Sequence, residues 1–141
     1  MPARRRIDID AGRAAVRGWL VSTREPDLHA PQAATRQDAA PTIDRATLAT
    51  AVRFALEELA EAAPGGALEV RVPPFGAAQC VAGRHHRRGT PPAVVEMDAG
   101  TWLGLVTGRL SWADAVATGA VDASGERSDL SSLLPLPGTT E

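Results

Sequence analysis

The stretch VVEMDAGTWLGLVTGRLSWADAVATGAVDASGERSDLSSLL, residues 94–134, decides the fold class. Together with Ala93 it opens as AVVEM (93–97), a short apolar run with β-branched residues that reads as a strand. Asp98 follows, a side chain suited to accept the free N–H groups at a helix start. Trp102, Leu103, Leu105 and Val106 then supply the apolar residues of a helix ended near Gly108. SWAD (111–114) has the Ser-x-x-Asp form of a capping box and starts a further helix through Val116 to Gly119. AVDAS (120–124) is a short strand and Gly125 a turn. SDLSSLL (128–134) makes a last helical turn or two, stopped by Pro135. Strands and helices in one continuous block demand a sheet with helices packed against it, the α+β class.

Upstream, LEVRVPPF (68–75) alternates Leu68, Val70 and Val72 with Glu69 and Arg71, the pattern of a half-buried strand. Pro73 and Pro74 cannot donate ladder bonds, so pairing ends there or lies at an edge. Gly76 turns the chain and AAQCVA (77–82) returns as a strand. Before these, DRATLATAVRFALEELAEAA (44–63) is a helix. Leu48, Val52, Ala55, Leu56 and Leu59 form its inner face, and Arg53, Glu57, Glu58 and Glu61 lie away from it. Asp44 caps this helix and PGG (64–66) stops it. An earlier helix, about Asp10 to Val21, carries a narrow stripe of Ala15, Val16, Trp19 and Leu20, with Asp8 or Asp10 as its cap. Residues 22–42 contain Pro26, Pro31 and Pro41 and no periodicity, which reads as a long connector. The expected organisation is a helical arm and linker (1–43), a main domain (44–136) and a short tail (137–141).

With 141 residues, 44% hydrophobic and 23% charged, the chain suits one soluble globular domain. No apolar run approaches the roughly 18 residues that cross a bilayer, and MPARRRIDID lacks the apolar segment of a secretory signal. A cytoplasmic protein without stable membrane insertion is expected. All 15 basic residues are arginine, in keeping with a GC-rich coding bias, and the net charge is −2. No general field attracts nucleic acid. With no Tyr, two Phe and three Trp, stacking platforms for single strands are not expected either. A single cysteine, Cys80, excludes an internal disulfide and a multi-thiolate metal site.

GRHHRRGTPP (83–92) concentrates His85, His86, Arg84, Arg87 and Arg88. Adjacent histidines in an extended segment diverge, and only Cys80 and the distant His29 could join them. No metal site is therefore expected. The segment feeds a strand through two prolines, so it is not a phosphate-cradling loop. It reads as a connector between the strands at 77–82 and 93–97. Cys80 reads as a small buried hydrophobe; a nucleophilic role would need His85 beside it. Glu69, Glu96 and Asp98 are a candidate acid/base set, but Glu69 and Glu96 more simply occupy polar strand faces and Asp98 caps a helix. No catalytic residue and no cofactor are expected. What remains is apolar volume in the last forty or so residues: Trp102, Val106, Leu110, Trp112, Val116, Leu130, Leu133 and Leu134.

Residues 94–134 resemble the second half of the sterol carrier protein 2 family. That pattern runs strand, helix, "tGrl", a second helix ending in "sGrv", a short strand ending in Gly, and a leucine-rich last helix. Trp102, Gly108, Arg109, Leu110, Ala115, Gly119, Val121 and Gly125 fit it in order. RVPPFGAAQCVAGRHHRRGTPPAVVEMD is similar to small actinobacterial members. The resemblance implies a mixed sheet of about five strands with helices on one face, although four strands are identifiable and the fifth must lie in 83–92 or elsewhere. Pro73, Pro74 and Gly76 also replace the family's usual polar–aromatic hairpin. It further implies an apolar tunnel for fatty acyl chains, sterols or similar lipids in a non-enzymatic carrier. The expected tunnel wall is Phe75, Val81, Trp102, Val106, Trp112, Leu130, Leu133 and Leu134, with Arg84, Arg87 or Arg88 at a headgroup rim. The alternative is an interaction or accessory module with a filled core, whose N-terminal helix docks on its own body or on a second copy as a homodimer.

Overall fold

Each helix begins at a side-chain cap that the sequence announces. Asp8 accepts from the Ala11 N–H (3.0 Å) at the start of α1 (Ile9–Ser22), and Asp44 from Thr47 (2.7 Å) at α2 (Arg45–Ala62). Asp98 accepts from Thr101 (2.7 Å) at α3 (Ala99–Thr107), and Ser111 from Asp114 (3.1 Å) at α4 (Trp112–Ala117). These acceptors satisfy N–H groups that the first turn of a helix leaves free. The structure is a computed structural model that describes residues 5–24, 43–83, 93–125 and 128–140.

The strands are β1 (Leu68–Val72), β2 (Gly76–Cys80), β3 (Ala93–Met97) and β4 (Val121–Ser124), in the spatial order β2-β1-β3-β4. β1 and β2 form an antiparallel hairpin, with Leu68 opposite Cys80 and Val72 opposite Gly76. Pro73 and Pro74 are its turn, closed by the Phe75 N–H on Val72 O at 2.9 Å. β3 runs parallel to β1, Leu68 opposite Ala93, and β4 antiparallel to β3, Met97 opposite Val121. The mixed α+β sheet agrees with the sequence reading. The described residues give four strands where the resemblance implied about five.

GRHHRRGTPP stands between β2 and β3 in the chain. The strands that flank it are not neighbours, because β1 lies between them. β2 ends opposite Leu68 and β3 begins opposite Leu68. β2 and β3 are therefore not the two arms of one hairpin, and residues 84–92 between them lie outside the described residues.

Strand alternation separates the two faces. Leu68, Val70, Val72, Cys80, Val95 and Met97 are buried, while Arg71, Gln79, Glu96 and Asp122 are exposed on the opposite side. α2 packs over β2: Leu56 Cδ1 lies 3.5 Å from where a Gly76 Cβ would stand, and Arg53 Nε donates to Phe75 O at 2.8 Å. α3 joins α2 through Trp102, whose Nε1–H donates to Val52 O at 3.3 Å. α1 lies along α2, with Gly12, Ala15, Val16 and Trp19 buried. Gly12 is required at this crossing, since a Cβ there would meet the Phe54 ring at 2.2 Å. Beyond α4 the chain forms short 3-10 turns at Ser131–Leu133 and Pro137–Thr139, the latter burying Thr139.

Candidate functional site

The end of α2, the exit of β2 and the first 3-10 turn converge on an open groove of about 610 Å³. Ala63 and Pro64 form one side, Val81 and Ala82 the second, and Leu133 with Asp129 and Ser132 the third. Its backbone is unusually constrained. Val81 has φ +66, a left-handed conformation that crowds a β-branched side chain. It is held there by hydrogen bonds on both sides: its N–H donates to Ala63 O (2.8 Å) and its C=O accepts from Ala67 N–H (3.0 Å). Gly65, at φ +148, lets the intervening turn pass beneath, because a Cβ there would lie 2.1 Å from Val81 O. The turn that stops α2 and the strand that leaves the sheet are thus tied into one wall.

The groove's chemistry is mostly apolar. Asp129 accepts from the Ser131 N–H at 2.8 Å, and this bond holds its carboxyl below the ordinary carboxylate value. Asp129 and Ser132 are the two polar side chains of the described lining. Such a surface can desolvate a hydrocarbon chain.

Of the residues expected to wall a tunnel, the structure brings Val81 and Leu133 together in this groove. Trp102, Val106 and Leu130 are fully buried in the core, and Phe75, Trp112 and Leu134 are half-buried against it. Phe75 also lies beneath Arg45, whose guanidinium carbon is 5.4 Å from the ring centre. Arg84, Arg87 and Arg88, like His29, His85 and His86, lie outside the described residues. Ala63, Pro64, Ala82, Asp129 and Ser132 were not anticipated. They are turn and end residues that carry no periodic signal, and what assembles them is the meeting of three segments distant in sequence.

The catalytic alternatives do not assemble among the described residues. Cys80 is buried in β2, and burial pushes its thiol up to about 11. It is protonated at neutral pH, unlike a reactive thiolate. Glu69 is paired with Arg71 (3.1 Å) on the exposed sheet face, Glu96 sits opposite Asp122, and Asp98 is engaged as the α3 cap. No group of three His, Cys, Asp or Glu side chains is placed to hold a metal among the described residues. No described helix is long and apolar enough to cross a membrane.

A search of curated proteins finds no match to this chain. A family model described as bacterial SCP ortholog matches residues 44–136, from the cap of α2 through all four strands to the start of the last 3-10 turn. The match covers most of the chain and contains every residue of the groove. The chain belongs to the bacterial SCP ortholog family.

Proposed function

We propose that the protein is a non-enzymatic carrier of an apolar ligand such as a fatty acyl chain or a sterol-like lipid. The observation that carries this reading is the groove itself: about 610 Å³, walled by Ala63, Pro64, Val81, Ala82 and Leu133. That volume falls within the range of small-ligand sites, roughly 300–1,000 Å³. Burial of a hydrocarbon chain would supply about 0.8 kcal/mol per methylene, so affinity would rise with chain length. The headgroup would remain at the open side, and Arg84, Arg87 and Arg88 are the proposed rim for a carboxylate. The other proposed wall residues sit within or against the core and become ligand contacts where the core opens. In this reading residues 44–136 are the carrier body, α1 is an appended arm, and the protein works in the cytoplasm without a cofactor.

The test is mass analysis of lipid extracted from freshly purified protein, with displacement of a fluorescent fatty acid. A co-purifying long-chain lipid, and affinity that falls in Leu133→Glu, would support the reading. An empty protein that binds neither fatty acid nor sterol would overturn it.

A second reading is favoured by the filling of the core. Trp102, Phe54, Leu59, Leu103 and Leu105 are essentially inaccessible, as in an interaction or accessory module that carries nothing. α1 docks on its own body here, so a homodimer through this helix would require exchange of α1 between copies or contacts through its exposed Ile9 and Val21. Sedimentation equilibrium together with the lipid extraction separates the two readings: a dimer without lipid favours the module.

A further inference from the structure

α1 lies outside residues 44–136, yet it closes the body that those residues form. Its stripe of Ala15, Val16 and Trp19 is buried, and Gly12 sits directly against Phe54, which is fully covered. The bonds that hold it are of another kind. Arg5 pairs with Glu58 and Glu61, and the Arg6 and Ile7 N–H groups donate to Glu57 (2.9 and 3.2 Å). Arg13 Nε donates to Gly138 O at 3.1 Å. At the other end Arg109 donates to Leu20 O and Thr23 Oγ1, both at 2.7 Å, and lies 5.5 Å from the Trp19 ring centre. All of these polar contacts are exposed or half-buried, where water can replace them. The charge is complementary: residues 1–24 carry six Arg against two Asp, on a chain of net charge −2.

We infer that α1 is a displaceable plug: its release uncovers the apolar face of α2 at Phe54 and admits an apolar ligand to the core. The inference rests on the carrier reading above. The body beneath α1 is packed, so a hydrocarbon chain that reaches beyond the groove into the core needs one element to move. The strands are fixed by their ladders, and α3 is tied to α2 by Trp102 on Val52 O. α1 is held along its length by a narrow apolar stripe and at its rim by polar contacts. Twenty-two residues separate Ser22 from Arg45, a contour of at most about 75 Å, so α1 can leave while α2 stays folded. Val16 and Trp19 would then be the self-ligand that the lipid replaces.

The experiment locks α1 in place. A Cβ at Gly18 would stand 3.9 Å from Thr47 Cγ2, so a cysteine pair at these two positions sets side chains in contact across α1 and α2. The full-length Gly18→Cys/Thr47→Cys protein, in a Cys80→Ala background, is compared oxidised and reduced. Two readouts are taken: hydrogen exchange of the α1 amides, and binding of a pyrene-labelled dodecanoic acid. The expected result is that α1 amides of the reduced form exchange well before those of α2. The oxidised form should slow this exchange and bind the probe at least about tenfold more weakly, since the competent state is less populated. Reduction should restore both. If α1 exchanges in step with α2, the plug is overturned whatever the probe does. If α1 opens separately but both forms bind the probe equally, the plug is overturned and the carrier reading stands. If neither form binds the probe or a matching sterol probe, the carrier reading fails and the plug with it.

Discussion

Val81 is where local conformation and the groove wall meet. A β-branched residue at φ +66 stores strain on the order of 1–3 kcal/mol, and its two flanking hydrogen bonds keep it there. Glycine has no such strain but loses about 0.5–1 kcal/mol through backbone entropy. Val81→Gly is therefore expected to change stability by no more than about 1–2 kcal/mol in urea denaturation, while weakening fatty-acid binding. Val70→Gly, at a fully buried position in extended backbone, removes a packed side chain without relieving strain. It should cost at least about 2–4 kcal/mol. Equal costs at the two positions would show that Val81 is not strained.

Cys80 gives a second test, through pH. Its thiol is raised by burial from an ordinary 9.0 to about 11. Between these values the unfolded chain has lost a proton that the folded chain keeps, so stability should fall as pH rises through this window and be level below it. The chain has neither lysine nor tyrosine, so few other groups titrate there. Urea denaturation from pH 8 to 11 should show a steeper decline in the native protein than in Cys80→Ala.

Among the elements, α2 does more than its amphipathic pattern suggests. Leu56 and Leu59 belong to the inner face read from the sequence, and Leu48 at its start is half-buried. Phe54 lies off that face and is buried because α1 covers it. A helix that packs on two partners needs apolar residues in two directions, and a single-stripe reading finds one of them. The sheet carries a different tension. Glu96 and Asp122 are cross-strand partners on the exposed face of β3 and β4, and like charges directly opposite each other repel. Arg71, opposite Glu96 on the other side, is already bridged to Glu69. Asp122→Thr should raise stability by about 0.2–1 kcal/mol, and the gain should shrink in high salt. An unchanged or lower melting temperature at low ionic strength would contradict this.

For the whole molecule, Arg109 links the family's body to its appended arm. In the sequence it is one member of the TGRL segment after α3; in the fold its guanidinium holds the last turn of α1. Arg109→Ala removes two hydrogen bonds and a cation–ring contact at an exposed site, an expected cost of about 1–2 kcal/mol. The loss should appear as faster exchange of α1 amides, with α2 and the sheet unaffected. Uniform acceleration across the chain would mean that α1 and the body unfold together.

Caps, turns and strand alternation were legible from residue order alone. Asp8, Asp44, Asp98 and Ser111 act on N–H groups three residues away, and alternation in β1 and β3 reflects one wet and one dry face. These are local effects, set by side chains close in the chain. Membership in the bacterial SCP ortholog family was legible for the same reason, since its motif is a run of caps and turns in fixed order. The strand order, the second buried face of α2 and the groove were not. Each depends on which distant segments come to share a surface. A fully buried Trp102 and a groove-lining Leu133 are both apolar residues of helical segments in the sequence; only the packing around them separates a core residue from a wall.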